Sequence, residues 1–132
     1  MSELFLDTVG LLALWDEDDQ WHAVASESFA RARTGSRLFT TRFVLAECGN
    51  ALARTNFREV VGEIEQALRH SNGLLDVTAE DWSFAMNLYV SGFPGAAGLV
   101  DETSFQAMRN RGIRRAFTND RHFTAAGFET LF

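Results

Sequence analysis

With 132 residues the chain has room for one domain with one core, so residues 1–132 are read as a single domain. An apolar share of 46% beside 23% charged residues is that of an ordinary water-soluble globular protein, and no apolar run approaches the roughly 18–20 residues that span a bilayer. The net charge of −6 argues against a non-specific nucleic-acid coat, although all twelve basic residues are Arg, the better bidentate partner for phosphate.

In chain order, Leu4, Phe5 and Leu6 predict a short buried strand, and residues 8 to 15 a helix. The acidic run Asp16, Glu17, Asp18, Asp19 predicts a solvated turn that offers a helix cap. From it a helix runs through Trp21, Val24, Ala25, Ser28 and Phe29 to about Arg33, ended by Gly35. Residues 37–41 read as a second strand, and the helix after it carries Phe43, Ala46, Glu47, Asn50 and Ala51 at helical spacing. Asn56 opens another helix with Val60, Val61, Ile64, Ala67 and Leu68 on its buried side, closed by Gly73. Residues 74–77 make a third strand, and Thr78 with Asp81 comes close to a capping box. A Gly- and Ala-rich loop, 92–98, precedes a helix from about Val100 to Arg111 that Gly112 closes. Residues 116–118 are strand-like, Asn119 is placed to cap a short helix, and 128–131 read as a last edge strand.

Strands separated by helices predict an α/β fold, a mostly parallel central sheet flanked by helices on both faces. Ligands then bind beyond the carboxyl ends of the strands. Cys48 is the single cysteine, which leaves no internal disulfide and suits a reducing compartment. The opening Met-Ser-Glu has no basic segment or cleavage site for export, so the expected location is the cytoplasm.

Four carboxylates occupy unusual positions. Asp7 interrupts an apolar run at the end of the first strand, and Glu47 is the only charge between Phe43 and Leu52. Asp101 follows Gly98, Leu99 and Val100 at a helix start, and Asp120 follows Ala116, Phe117 and Thr118 at a strand end. Ionised carboxylates in apolar surroundings cost several kcal/mol unless a positive charge compensates them, and several together repel. A divalent ion removes both penalties, and hard oxygen ligands favour Mg²⁺ or Mn²⁺. Each residue also has an ordinary reading: helix capping for Asp7, Asp101 and Asp120, and a surface position at the helix margin for Glu47.

The segments around these residues resemble the PIN-domain nucleases, and within them the VapC-type toxins of toxin–antitoxin pairs. The resemblance lies in Leu-Phe-Leu-Asp-Thr at 4–8, Phe-Val-Leu-Ala-Glu-Cys-Gly-Asn at 43–50, Gly-Leu-Val-Asp-Glu-Thr-Ser-Phe at 98–105 with Met108, and Ala-Phe-Thr-Asn-Asp-Arg-His-Phe at 116–123 with Ala126, Gly127 and Phe128. It implies a PIN-like α/β/α sandwich and an Mg²⁺- or Mn²⁺-dependent endoribonuclease with Asp7, Glu47, Asp101 and Asp120 as metal-site and catalytic residues. Asp7 and Asp101 would be the central ligands of one or two ions. Thr8, Asn50, Ser104 and Thr118 would hold carboxylates or water in place, ordinary capping serving these hydroxyls equally well. The resemblance further implies an RNA substrate, a cognate antitoxin that inserts a peptide into the acidic pocket, and a homodimer.

Cations must flank an acidic pocket that accepts RNA, and the candidates are Arg42, Arg109 and Arg121, near Arg111, Arg114 and Arg115 in sequence. The alternative for the 109–115 group is complementing a helix C-terminus. Many relatives carry an acidic residue followed by Lys before the Gly-Leu-Val-Asp segment, whereas residues 93–97 here are Phe-Pro-Gly-Ala-Ala. That departure leaves a second reading, a catalytically weak PIN fold acting as an RNA- or protein-binding module. A phosphatase-like hydrolase would need Asp-x-Asp after the first strand, and Asp7-Thr8-Val9 does not provide it. Glu102 reads as a solvated helix residue, Cys48 as a core thiol, and His22, His70 and His122 as structural, without zinc-ligand spacing, contact with substrate being the alternative for His122 beside Asp120. Trp15, Trp21 and Trp82 are expected in the core or at an interface.

Overall fold

Leu4, Phe5 and Leu6 are each completely buried, because a strand covered on both faces needs unbroken rather than alternating hydrophobicity. The computed structural model describes residues 2–92 and 95–132. Strand β1 (Ser2–Leu6) leads into helices α1 (Thr8–Trp15) and α2 (His22–Arg33), then β2 (Ser36–Thr41), α3 (Arg42–Ala51) and α4 (Arg58–His70). Next come β3 (Leu74–Leu75), α5 (Ala79–Ser91), α6 (Leu99–Arg111), β4 (Arg115–Phe117), α7 (Arg121–Ala125) and β5 (Glu129–Thr130). The strands form one sheet in the order β3-β2-β1-β4-β5, and every neighbouring pair is parallel.

The chain steps outward from β1 to β2 to β3, then crosses back to β4 and outward again to β5. Right-handed crossovers put the helices of the outward and return paths on opposite faces, which makes the α/β/α sandwich expected from the sequence. β1 and β4 are neighbours whose chains leave in opposite directions, so their carboxyl ends form the switch point at which open parallel sheets bind ligands. Gly10 makes that edge tight: a Cβ there would stand 2.0 Å from the Phe117 carbonyl oxygen, so α1 reaches the end of β4 only with glycine. Phe105 of α6 meets Phe123 of α7 edge-on at 4.9 Å and Phe128, beyond α7, at 5.6 Å, which ties the end of the chain to α6.

Several boundaries differ from the sequence reading for local reasons. The third strand stops at Leu75 because its partner Thr41 is the last residue of β2, leaving Asp76 and Val77 nothing to pair with. The helix expected from Asn56 begins at Arg58. Asp16 and Asp19 accept from the amides of Asp18 and Trp21, so the acidic run folds on its own backbone and does not cap α2. The capping box at α5 is complete, with Asp81 N donating to Thr78 Oγ1 at 3.0 Å and Thr78 N to Asp81 Oδ2 at 3.1 Å. Asp120, not Asn119, caps α7. No helix among the described residues is long and apolar enough to cross a membrane.

Candidate metal centre

Asp7 stands between β1 and α1, at the N-cap position, yet its side chain caps nothing. Its Oδ2 instead accepts a 2.8 Å hydrogen bond from Thr118 Oγ1 at the end of β4. Its Oδ1 is buried with no hydrogen-bond partner among the described residues, and the residue is only 1% exposed. Burial pushes the carboxyl up to about 7, the Thr118 hydrogen bond opposing, and the charges of Asp101 and Asp120 push it further. A buried acceptor with no donor costs about 1–3 kcal/mol, more when charged.

Asp101 sits in the first turn of α6, where its Oδ2 accepts from the Gly98 amide at 3.3 Å. Burial first and the Asp120 charge second raise it to about 6, while Glu47 adds a smaller repulsion. Asp120 Oδ1 accepts from the His122 amide at 2.9 Å and lies 2.9 Å from His122 Nδ1. Thr118 Oγ1 also accepts from the Asp120 amide at 3.1 Å, so one hydroxyl ties Asp7 to the loop carrying Asp120. One ligand-type atom each from Asp101, Asp120 and His122 lie within 4.8 Å of one another.

Glu47 arrives differently from the expectation. α3 buries Val44, Leu45 and Cys48, which turns Glu47 with Phe43, Ala46, Asn50 and Ala51 outward. The premise of an apolar environment therefore fails for Glu47. Its place beside the others comes from a 2.6 Å hydrogen bond that Thr8 Oγ1 donates to its Oε1. The structure thus gathers all four acidic residues at the carboxyl edge of β1 and β4, three of them from helix starts and one from a helix flank. Among the described residues no arginine forms an ion pair with any of the four.

The four accessory residues divide. Thr8 and Thr118 touch the carboxylates as described. Asn50 is exposed near the end of α3, and no hydrogen bond joins it to a carboxylate among the described residues. Ser104 is wholly buried in α6 with its hydroxyl unpartnered, so it lies in the core instead of holding Asp101. Glu102, expected in solvent, is 3% exposed, because nearly all of α6 from 102 to 108 is buried between its neighbours. Burial raises its carboxyl, with Arg109 and His122 opposing.

The arginines divide too. Arg111 pairs with Glu3 at 2.8 Å and Arg115 donates to Ser2 and Ser36 hydroxyls, at the amino edge of the sheet, opposite the carboxylates. Arg109 donates to the Ala126 carbonyl at 3.1 Å and lies over Phe105 and Phe128, which makes it a clamp across α6 and α7. Arg42, 3.6 Å from Asp76, and Arg121, next to Asp120, are exposed on the carboxylate side. Cys48 is a core thiol pushed up to about 12 by burial, then by Asp7 and Glu47. Trp15 packs on the core, Trp82 stacks on Phe43 at 5.3 Å, and Trp21 is exposed. His122 was missed as part of the cluster. The signal was its spacing, two residues past an Asp that caps a helix.

No family model and no curated protein sequence matches the chain. Among solved structures, VapC20 of Mycobacterium tuberculosis, a Sarcin-Ricin loop cleaving toxin, aligns with a TM-score of 0.79 and 30% identity over 95% of both chains. The chain belongs to the PIN-domain family of VapC-type toxins. VapBC2 of Rickettsia felis, bound to a DNA fragment from its promoter, has a TM-score of 0.62 at 14% identity, covering 97% of this chain and 96% of its own. FitAcB of Neisseria gonorrhoeae has 0.60 at 12%, covering 98% and 96%. At those identities the likeness shows the fold alone. In this VapC-type domain the uncharged loop before α6 is tied to the cluster: His122 Nε2 lies 3.0 Å from the Gly95 carbonyl oxygen, and Ala97 is buried. Phe93 and Pro94 of that loop lie outside the described residues.

Proposed function

We propose that this chain is a divalent-metal-dependent endoribonuclease and the toxin of a toxin–antitoxin pair, working in the cytoplasm. The observation that carries the reading is Asp7 Oδ1, buried without a donor beside two carboxyls that repel it. A cation is the partner such an atom lacks, and an oxygen-rich donor set suits Mg²⁺ or Mn²⁺. Asp7 and Asp101 would hold it, with Glu47 and Asp120 completing the shell directly or through water. When bound, the ion neutralises charge on the scissile phosphate and lowers the pKa of water.

The chain's own residues supply the order around that site. Thr118 aims Asp7 and fixes the Asp120 backbone, so two ligands from different strands keep one spacing. Thr8 holds Glu47, an exposed side chain that otherwise has many rotamers. Arg42 and Arg121 stand where an RNA backbone would pass, and Arg109 is withdrawn from that role by its clamp. An acidic, open edge also fits an antitoxin peptide bearing Arg. A homodimer is proposed on family grounds.

The test is cleavage of total RNA with Mg²⁺ or Mn²⁺, with and without EDTA, in a nuclease-free preparation. The expected products carry a 5′-phosphate and a 3′-hydroxyl, and Asp101→Asn should remove metal-dependent cleavage with the fold intact. Full activity in that variant overturns the assignment. Metal binding without cleavage by the unaltered protein would favour the non-catalytic binding module, the reading that the uncharged loop supports.

A further inference from the structure

We propose that His122 is a direct ligand of the ion held by Asp101 and Asp120, and that its ring nitrogen makes the site prefer a transition ion such as Mn²⁺ to Mg²⁺. The inference rests on the metal reading above and concerns a residue outside the acidic set.

Three observations converge. First, ligand-type atoms of Asp101, Asp120 and His122 lie within 4.8 Å of one another, which is the reach of one coordination shell. Second, the ring is held from both sides. Nε2 lies 3.0 Å from the Gly95 carbonyl, an oxygen that only accepts, so Nε2 carries a hydrogen. Nδ1 therefore faces Asp120 Oδ1, 2.9 Å away, on the side where Asp101 also presents its carboxylate. Metal-bound histidines regularly set their other nitrogen against a backbone carbonyl, the arrangement that Nε2 makes with Gly95. Third, Asp7 Oδ1, outside the triad, is buried with no hydrogen-bond partner among the described residues. The Asp120 carboxylate also accepts from the His122 amide at 2.9 Å, so backbone and ring are set together before any ion arrives.

The chemical consequence is selectivity. Mg²⁺ keeps oxygen ligands and its waters, whereas imidazole is a better donor to transition ions. Replacing one oxygen of the shell by nitrogen therefore moves preference from Mg²⁺ towards Mn²⁺ and its neighbours.

The competing explanation is that His122 only straps the Gly95 loop to Asp120. Two variants separate the roles. His122→Ala removes ring and strap, and His122→Gln keeps an amide N–H for the Gly95 carbonyl but has no ring nitrogen. Affinities for Mn²⁺ and Mg²⁺ are measured by titration on the purified full chain, and nitrogen coupling is read from the electron spin echo of bound Mn²⁺. The expected result is nitrogen modulation in the unaltered protein, absent in both variants. With it goes a loss of Mn²⁺ affinity on the order of 10-fold or more and a clearly smaller loss for Mg²⁺. Bound Mn²⁺ without nitrogen modulation overturns the proposal and leaves the metal reading standing. So does His122→Gln with unaltered selectivity. Failure of the unaltered protein to bind either ion, as Asp101→Asn is expected to fail, sinks the metal reading itself.

Discussion

Replacing Asp7 by Asn isolates the cost of keeping an ionisable carboxyl in the core. The folded protein holds this group at about 7, against 3.8 for an ordinary Asp, so folding favours its protonated form. For a group raised on folding, stability is fully present below the unfolded value and is lost as pH rises through the folded one. Between pH 5 and pH 8 the metal-free protein should therefore lose about 2–3 kcal/mol, and about 4 kcal/mol is the whole contribution. Asn cannot ionise and keeps an oxygen for the Thr118 hydroxyl, but its amide N–H groups replace Oδ1 without a partner and cost about 1 kcal/mol. The variant should consequently be about 3 kcal/mol more stable than the unaltered protein at pH 8 in EDTA. Urea unfolding at pH 5 and pH 8, with EDTA and then with excess Mg²⁺, measures this directly. Added ion should restore stability at pH 8 only in the unaltered protein. Equal pH slopes for the two proteins in EDTA would refute the reasoning, because Asp7 would then carry no burial penalty.

Other parts of the site make separate expectations. Thr118→Val removes the donor to Asp7 and the acceptor for the Asp120 amide together, and should lower metal affinity about 10–100-fold, read by titration. Gly10→Ala forces a Cβ against the Phe117 carbonyl, and should cost about 3 kcal/mol in urea unfolding as well as metal affinity, since α1 must move off β4. Arg42→Glu with Arg121→Glu should weaken RNA binding and flatten its salt dependence, while Arg111→Glu, at the other edge, should alter stability more than RNA affinity. A filter-binding series in salt shows which arginines count.

Much of the candidate site's location was legible because it follows from strand order and polarity. An apolar run that ends in Asp marks a buried strand's carboxyl end, and parallel connections bring such ends to one edge. The sequence could not say which way α3 faces. Phe43, Ala46, Glu47, Asn50 and Ala51 share helical spacing, but Val44, Leu45 and Cys48 are the residues that meet the core, so Glu47 stands in solvent and reaches the cluster through Thr8. Glu102 shows the reverse: a charged residue beside Asp101 is buried because α6 is covered on most sides.

By itself, then, the sequence determined the alternation of strands and helices and the four acidic residues that no capping role requires together, since both depend on local pattern and on the cost of charge near apolar residues. Tertiary structure alone decided which polar groups share that edge. It sent Arg111 and Arg115 to the opposite side, turned Arg109 into a clamp, and brought His122 to the Gly95 carbonyl. The physical reason is that neighbours in sequence fix a residue's position along an element, while packing against distant elements fixes the face it presents.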